Sequence, residues 1–210
     1  VMNVKDMVVE EHIGTADVKL RVTHPEDVAI EALSDTDVRH SRNRKLMAER
    51  KLAAGTYKTL VVRIKDANKV VNINANDLSE DIFTAPVSMG THYAECSADK
   101  TKMVPSNDGG GTGVVTVNIN TQSTTDSVVR TAALNEIKRL YSGGKSSLWS
   151  KYGGNYDLIM MCIPPGTGDW VAYAYINHYV SVYNDHWCGK VSANMHEVGH
   201  NLNLAHSGHD

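Results

Sequence analysis

The sequence predicts an α+β fold: a mixed, twisted sheet with one long backing helix and a short histidine-bearing helix packed beneath it. Three observations lead there. Four runs rich in β-branched, aromatic or apolar residues, Tyr57–Lys65, Val114–Ile119, Tyr156–Ile163 and Trp170–Ile176, read as strands. The stretch 126–141 repeats Val129, Ala133, Ile137 and Leu140 at helical spacing. A second helical segment, around residue 200, carries histidines and a glutamate on one side and has Leu202 and Leu204 to bury.

Residues 1–57 differ from the rest. They hold no Cys and no Trp, and only short alternating runs such as Val18–Val22. Arg39–Lys51 then carries six basic residues (Arg39, Arg42, Arg44, Lys45, Arg50, Lys51) against one acid. Such a run is usually a solvated helix face or a tether. Its place before the first core strand suggests a pro-segment, residues 1–57, joined by a cleavable basic linker to a catalytic domain over residues 58–210. The plainer reading is an ordinary N-terminal subdomain.

The strand Tyr57–Lys65 alternates and opens the second domain. Short helices are expected near 79–83 and over 86–98. Asn107–Gly113 is a loop; it lacks the Lys and the following helix of a phosphate cradle, which excludes nucleotide binding there. Val114–Ile119 is a second strand, and Thr125 or Asp126 caps the helix that runs to about Tyr141. Gly143–Gly144 and Gly153–Gly154 mark turns before the last two strands.

The chemistry lies in His196-Glu197-Val198-Gly199-His200, with His206 six residues on. In a helix, residues four apart are offset by only about 40° and about 6 Å along the axis, so His196 and His200 face the same way. Two imidazoles so placed can grip one Zn²⁺, with Glu197 beside them to act on water. His206 supplies a third nitrogen if the chain turns back. Asn203 is the residue that decides this. A left-handed Asn there ends the helix and swings the chain round. If the helix continued instead, His206 would lie about 80° off the face of His196. Three protein ligands leave a fourth position open, the catalytic arrangement. A fourth ligand from His209 or Asp210 would make the site structural instead.

This spacing resembles that of the metzincin zinc endopeptidases, H-E-x-x-H-x-x-G-x-x-H, with Asn203 where the family has Gly. The run Met195–Gly208 is similar to the gametolysin family of algal cell-wall and matrix proteases. Thr59–Ile64, Leu78–Phe83, Pro164–Thr167, Trp170–Tyr175 and Ser181–Asn184 agree with it, so the resemblance covers about residues 57 to 210. It implies a metzincin-like upper subdomain, whose C-terminal subdomain, with the Met-containing turn beneath the metal, is missing from this sequence. It also implies His196, His200 and His206 as zinc ligands and Glu197 as the catalytic base. The implied function is hydrolysis of protein or glycoprotein substrates in an extracellular matrix or cell wall by a secreted enzyme made as a zymogen. The other function class is a non-catalytic, zinc-stabilised matrix or binding module. Trp170, Tyr173 and His178 are candidate substrate contacts, the first two on a strand that can pair with an extended peptide.

Composition narrows the field further. Net charge is −3, which gives no footprint for nucleic acid or an anionic membrane. No apolar run approaches the roughly 20 residues needed to span a bilayer, so membrane insertion is not expected. Three cysteines, Cys96, Cys162 and Cys188, lack C-x-x-C spacing, which excludes a thiolate zinc cluster. Cys162 and Cys188 are the favoured disulfide pair, with Cys96 left to find a partner elsewhere; the alternative is three reduced core thiols. Nothing in the pattern sets an oligomeric state.

Overall fold

The computed structural model describes residues 54–206 and the backbone of 8–10 and 19–21. The chain forms two units, Val1–Ala48 and Glu49–Asp210. In the first, β1 (Val8–Glu10) pairs antiparallel with β2 (Lys19–Arg21). The basic run Arg39–Lys51, expected to link a pro-segment, lies outside the described residues, as do His209 and Asp210.

The second unit is an α+β fold around an open mixed sheet. Its spine is β3 (Gly55–Asp66), from which β4 (Lys69–Val70) folds back antiparallel. Then come α1 (Ala75–Ser79), which runs into a wider π-type turn over Glu80–Thr84, and α2 (Met89–Cys96). Asn74 starts α1 by accepting from the backbone N–H groups of Asn76 and Asp77. Ser88 and Thr91 close a reciprocal capping box at the start of α2. Next, β5 (Thr101–Pro105) and β6 (Val114–Ile119) both run parallel to β3, pairing with its first and second halves. The backing helix α3 (Asp126–Tyr141) leads to β7 (Leu158–Ile163), also parallel to β3. The edge strand β8 (Ala172–Ala174) lies antiparallel to β9 (Val180–Asn184), which runs parallel to β7. Last comes α4 (Val191–Asn201), the histidine-bearing helix.

Side chains alternate across the sheet, so two cores form, one on each face. Leu60, Val62 and Ile64 of β3 join Ile159, Met161 and Ile163 of β7 under Val129, Ala133 and Ile137 of α3. Val61 joins Leu158, Met160 and Cys162 on the other face, against Tyr93 of α2 and Ala193 and Val198 of α4. Every residue of β7 is buried, as expected for a central parallel strand covered on both sides.

Several expectations need correction. The apolar stripe of α3 ends on Tyr141, packed against the core, while Leu140 is exposed. Spacing by four from Val129 reaches Tyr141, and Leu140 falls one residue short of that face. Thr125 precedes α3 but makes no side-chain capping bond, and Asp126 accepts from the Tyr173 hydroxyl. The strand read over Trp170–Ile176 is only three residues long.

Cys162 and Cys188 form the disulfide, with Cα atoms 5.5 Å apart, and Cys96 is free and exposed. The bond ties β7 to the short 3₁₀ turn Asp185–Gly189 that leads into α4. Both cysteines are fully buried. They stand 26 residues apart, and closing a loop of that length restricts the unfolded chain by roughly 3.5 kcal/mol. The double variant Cys162→Ala/Cys188→Ala should lose about that much in urea denaturation, with cavity terms adding to it. A change below about 1 kcal/mol would mean that the unfolded chain is already restricted there.

Candidate metal centre

The last turn of the sheet unit is built to bring three rings together. The 3₁₀ turn before α4 is pinned from outside. Asp185 accepts from both the backbone N–H and the side-chain amide of Asn72, at 2.8 and 2.7 Å. The helix is held from α2 as well: the Tyr93 hydroxyl donates to the Met195 carbonyl at 2.9 Å. That carbonyl is next to His196, so the contact fixes α4 where its ligand face begins.

The end of α4 turns back and does not continue as a helix. Asn203 is left-handed, with φ 71°. The N–H of Asn203 donates to the His200 carbonyl and that of Leu204 to the Gly199 carbonyl, both at 2.9 Å. These two bonds form a Schellman motif. A Cβ placed on Gly199 would lie 3.6 Å from Leu204 Cδ1, so Leu204 touches the last turn in the manner usual for this cap, but it stays exposed where the sequence predicts it buried; only Leu202 is buried. The turn carries His206 back to the helix. Asn203→Gly should therefore keep the site. Asn203→Val should cost about 1–2 kcal/mol through its left-handed backbone and weaken metal binding. Thermal denaturation and a zinc titration check both; equal behaviour of the two variants would count against this turn as the hinge of the site.

His196, His200 and His206 then meet. Their Nε2 atoms form a near-equilateral triangle, with sides of 3.2, 3.1 and 3.0 Å. A tetrahedral ion bound at about 2.0–2.1 Å to each nitrogen needs separations of about 3.3 Å, so the triangle fits with a shift of a few tenths of an ångström. The proton on His200 can be assigned. Its Nδ1 lies 2.7 Å from the Leu204 carbonyl oxygen, which can only accept. Nδ1 therefore carries the proton, and Nε2 offers a lone pair to the centre of the triangle. His200 is buried, while His196 and His206 are exposed, so one side of the cluster opens to solvent. The described residues contain no other group of three or more His, Cys, Asp or Glu side chains placed to hold a metal ion.

Glu197 is buried on the neighbouring face. Burial raises its carboxyl above the ordinary value, and the nearby His200 and His206 pull it back. Its electrostatic neighbours include the fully buried Tyr183.

Trp170 and Tyr173 lie at the edge strand β8, and His178 lies in the connection from β8 to β9. Trp170 and Tyr173 pack on the α3 side of the sheet, away from α4. Trp170 Nε1 donates to the carbonyl and hydroxyl of Thr167, both at 3.2 Å, and the Tyr173 hydroxyl donates to Asp126 at 2.7 Å. His178 Nδ1 accepts from the backbone N–H of Val180 at 3.2 Å, and its ring packs on Trp149, Tyr175 and Tyr179. Their rings have local structural partners. Sequence reasoning missed Tyr93, Asp185 and the Leu204 carbonyl. Only Leu204 carried a signal, since the residue two past a helix end commonly completes this cap.

Comparison of the chain with family models, with curated proteins and with solved structures returned no match.

Proposed function

We propose that this chain is a zinc-dependent endopeptidase of the metzincin type, similar to the gametolysins, which hydrolyses peptide bonds in secreted matrix or cell-wall proteins. The observation that carries the reading is the Nε2 triangle, with the His200 proton held away from it by Leu204. Three imidazoles also suit copper, nickel or iron. Zinc is favoured by the H-E-x-x-H helix with one further histidine and an open side.

When bound, zinc would supply Lewis acidity toward water and the scissile carbonyl. The chain's own groups supply the rest. Glu197 sits beside the triangle without belonging to it, so its carboxylate is available as a base. Burial raises its affinity for a proton, which suits a group that takes one from water and returns it to the leaving amine. The edge of β8 can pair with an extended peptide through main-chain hydrogen bonds. The buried disulfide suits an oxidising, extracellular setting. Among the described residues no helix is long and apolar enough to cross a membrane.

The test combines metal analysis with cleavage of a panel of extended peptides. One zinc per chain, and cleavage lost to a chelator and restored by zinc, is the expected result. Zinc without cleavage would leave a metal-stabilised binding module. Protein prepared without chelators and free of metal would remove the reading altogether.

A further inference from the structure

The β8–β9 connection and the metal turn are joined by three hydrogen bonds, two of them from one buried side chain. Asn201, the last residue of α4, is the immediate neighbour of His200 and is buried. Its Nδ2 donates to the carbonyls of Tyr175 and Val180, at 3.1 and 3.0 Å. These carbonyls stand at the two ends of the connection between β8 and β9. In return, the N–H of Asn177 donates to the His200 carbonyl at 2.9 Å. Asn177 is itself left-handed, with φ 54°, so the connection bends to make that bond. Three hydrogen bonds thus cross between the β8–β9 connection and two consecutive residues of α4, one of them a ligand of the candidate centre.

We propose that Asn201 is a positioning residue that locks the turn carrying His200 and His206 to the β8–β9 connection, so that metal occupancy and the order of that connection are coupled. The physical basis is simple. The helix end must hold His200 while the chain reverses at Asn203 to bring His206 back. Without Asn201 the last turn is held by its own Schellman bonds and by Asn177. With it, the helix end is also tied to both ends of that connection. A metal that fixes His200 and His206 then fixes the β8–β9 connection, and an ordered connection presents ligands already placed. This coupling is reciprocal. The proposal rests on the three-histidine metal reading and on no catalytic step.

The structure contains a matched control. Asn184, at the other end of β9, also donates its amide to two carbonyls, those of Gly168 and Trp170, at 2.9 and 2.8 Å. In both residues the Oδ1 atom is buried without a partner. Asn184 therefore performs the same structural service for the sheet edge, but touches no residue of α4 by these bonds.

The experiment compares Asn201→Ala with Asn184→Ala in the full chain. Zinc affinity is measured by competition with a chromophoric chelator, and amide hydrogen exchange is followed with and without zinc. Asn201→Ala should weaken zinc roughly tenfold or more, the loss typical of a supporting partner. Asn184→Ala should leave it within about twofold, because its amide bonds reach Gly168 and Trp170 and not α4. In the unaltered protein, zinc should slow exchange of the Asn177 amide and leave that of Asn184, bonded to Val171, unchanged. This arm needs no variant, so it tests the coupling even if Asn201→Ala does not fold. Equal zinc affinity in the two variants, or an Asn177 amide indifferent to zinc, would overturn the coupling while leaving the metal site standing. Failure of the unaltered chain to bind zinc would overturn both.

Discussion

Glu197→Gln is expected to leave one zinc bound per chain while peptide hydrolysis falls by roughly 10²–10⁴-fold, the usual contribution of a positioned general base. The two halves of this expectation rest on different observations. Zinc should stay because the three Nε2 atoms that meet come from His196, His200 and His206, with no carboxylate among them. Turnover should fall because glutamine is nearly isosteric with glutamate but cannot take a proton. Glutamine keeps the shape and volume of this buried side chain, so the fold should change little. The assay is steady-state cleavage of a peptide substrate beside metal analysis of the same preparation. Retained turnover would require another base. Loss of zinc would mean instead that the carboxylate holds the histidines in place, and its role would become structural.

The candidate site was legible because most of it is local. A spacing of four in a helix fixes His196 and His200 on one face without reference to the rest of the fold. His206 depended on one backbone choice, and Asn203 is among the few residues that take the left-handed region at small cost. The four long-pattern elements, β3, β6, α3 and β7, were legible for the same reason: their periodicity survives packing on two faces. The missed strands fail that condition. Residues Thr101–Pro105 of β5 include Lys102 and Pro105 and show little apolar pattern; what makes them a strand is pairing with β3. In β9, Ser181 is fully buried and would read as polar, yet the Tyr183 hydroxyl lies 3.1 Å from its Oγ. Asn201 was illegible for a stronger reason. Which carbonyls it reaches depends on where residues 175 and 180 lie after folding, and no local pattern encodes that.

His200→Ala should cost more metal affinity than either His196→Ala or His206→Ala. Each removes one imidazole. His200 also holds the turn that carries His206, through its Nδ1 bond to the Leu204 carbonyl. It is the buried member of the three, so its ring is the one fixed by packing as well as by the metal. Removing it takes away a ligand and loosens the approach of another. Losing an outer-shell partner alone typically costs 10–100-fold in affinity, so the loss of a ligand together with its anchor should exceed that range. His196 and His206 are exposed, and their variants should keep a weak two-ligand site. The measurement is zinc affinity of the three variants by chelator competition, with thermal denaturation of the metal-free forms as the control for folding. A metal-free His200→Ala that unfolds at the temperature of the parent, yet binds zinc as well as His206→Ala does, would show that the Leu204 bond contributes nothing to the site.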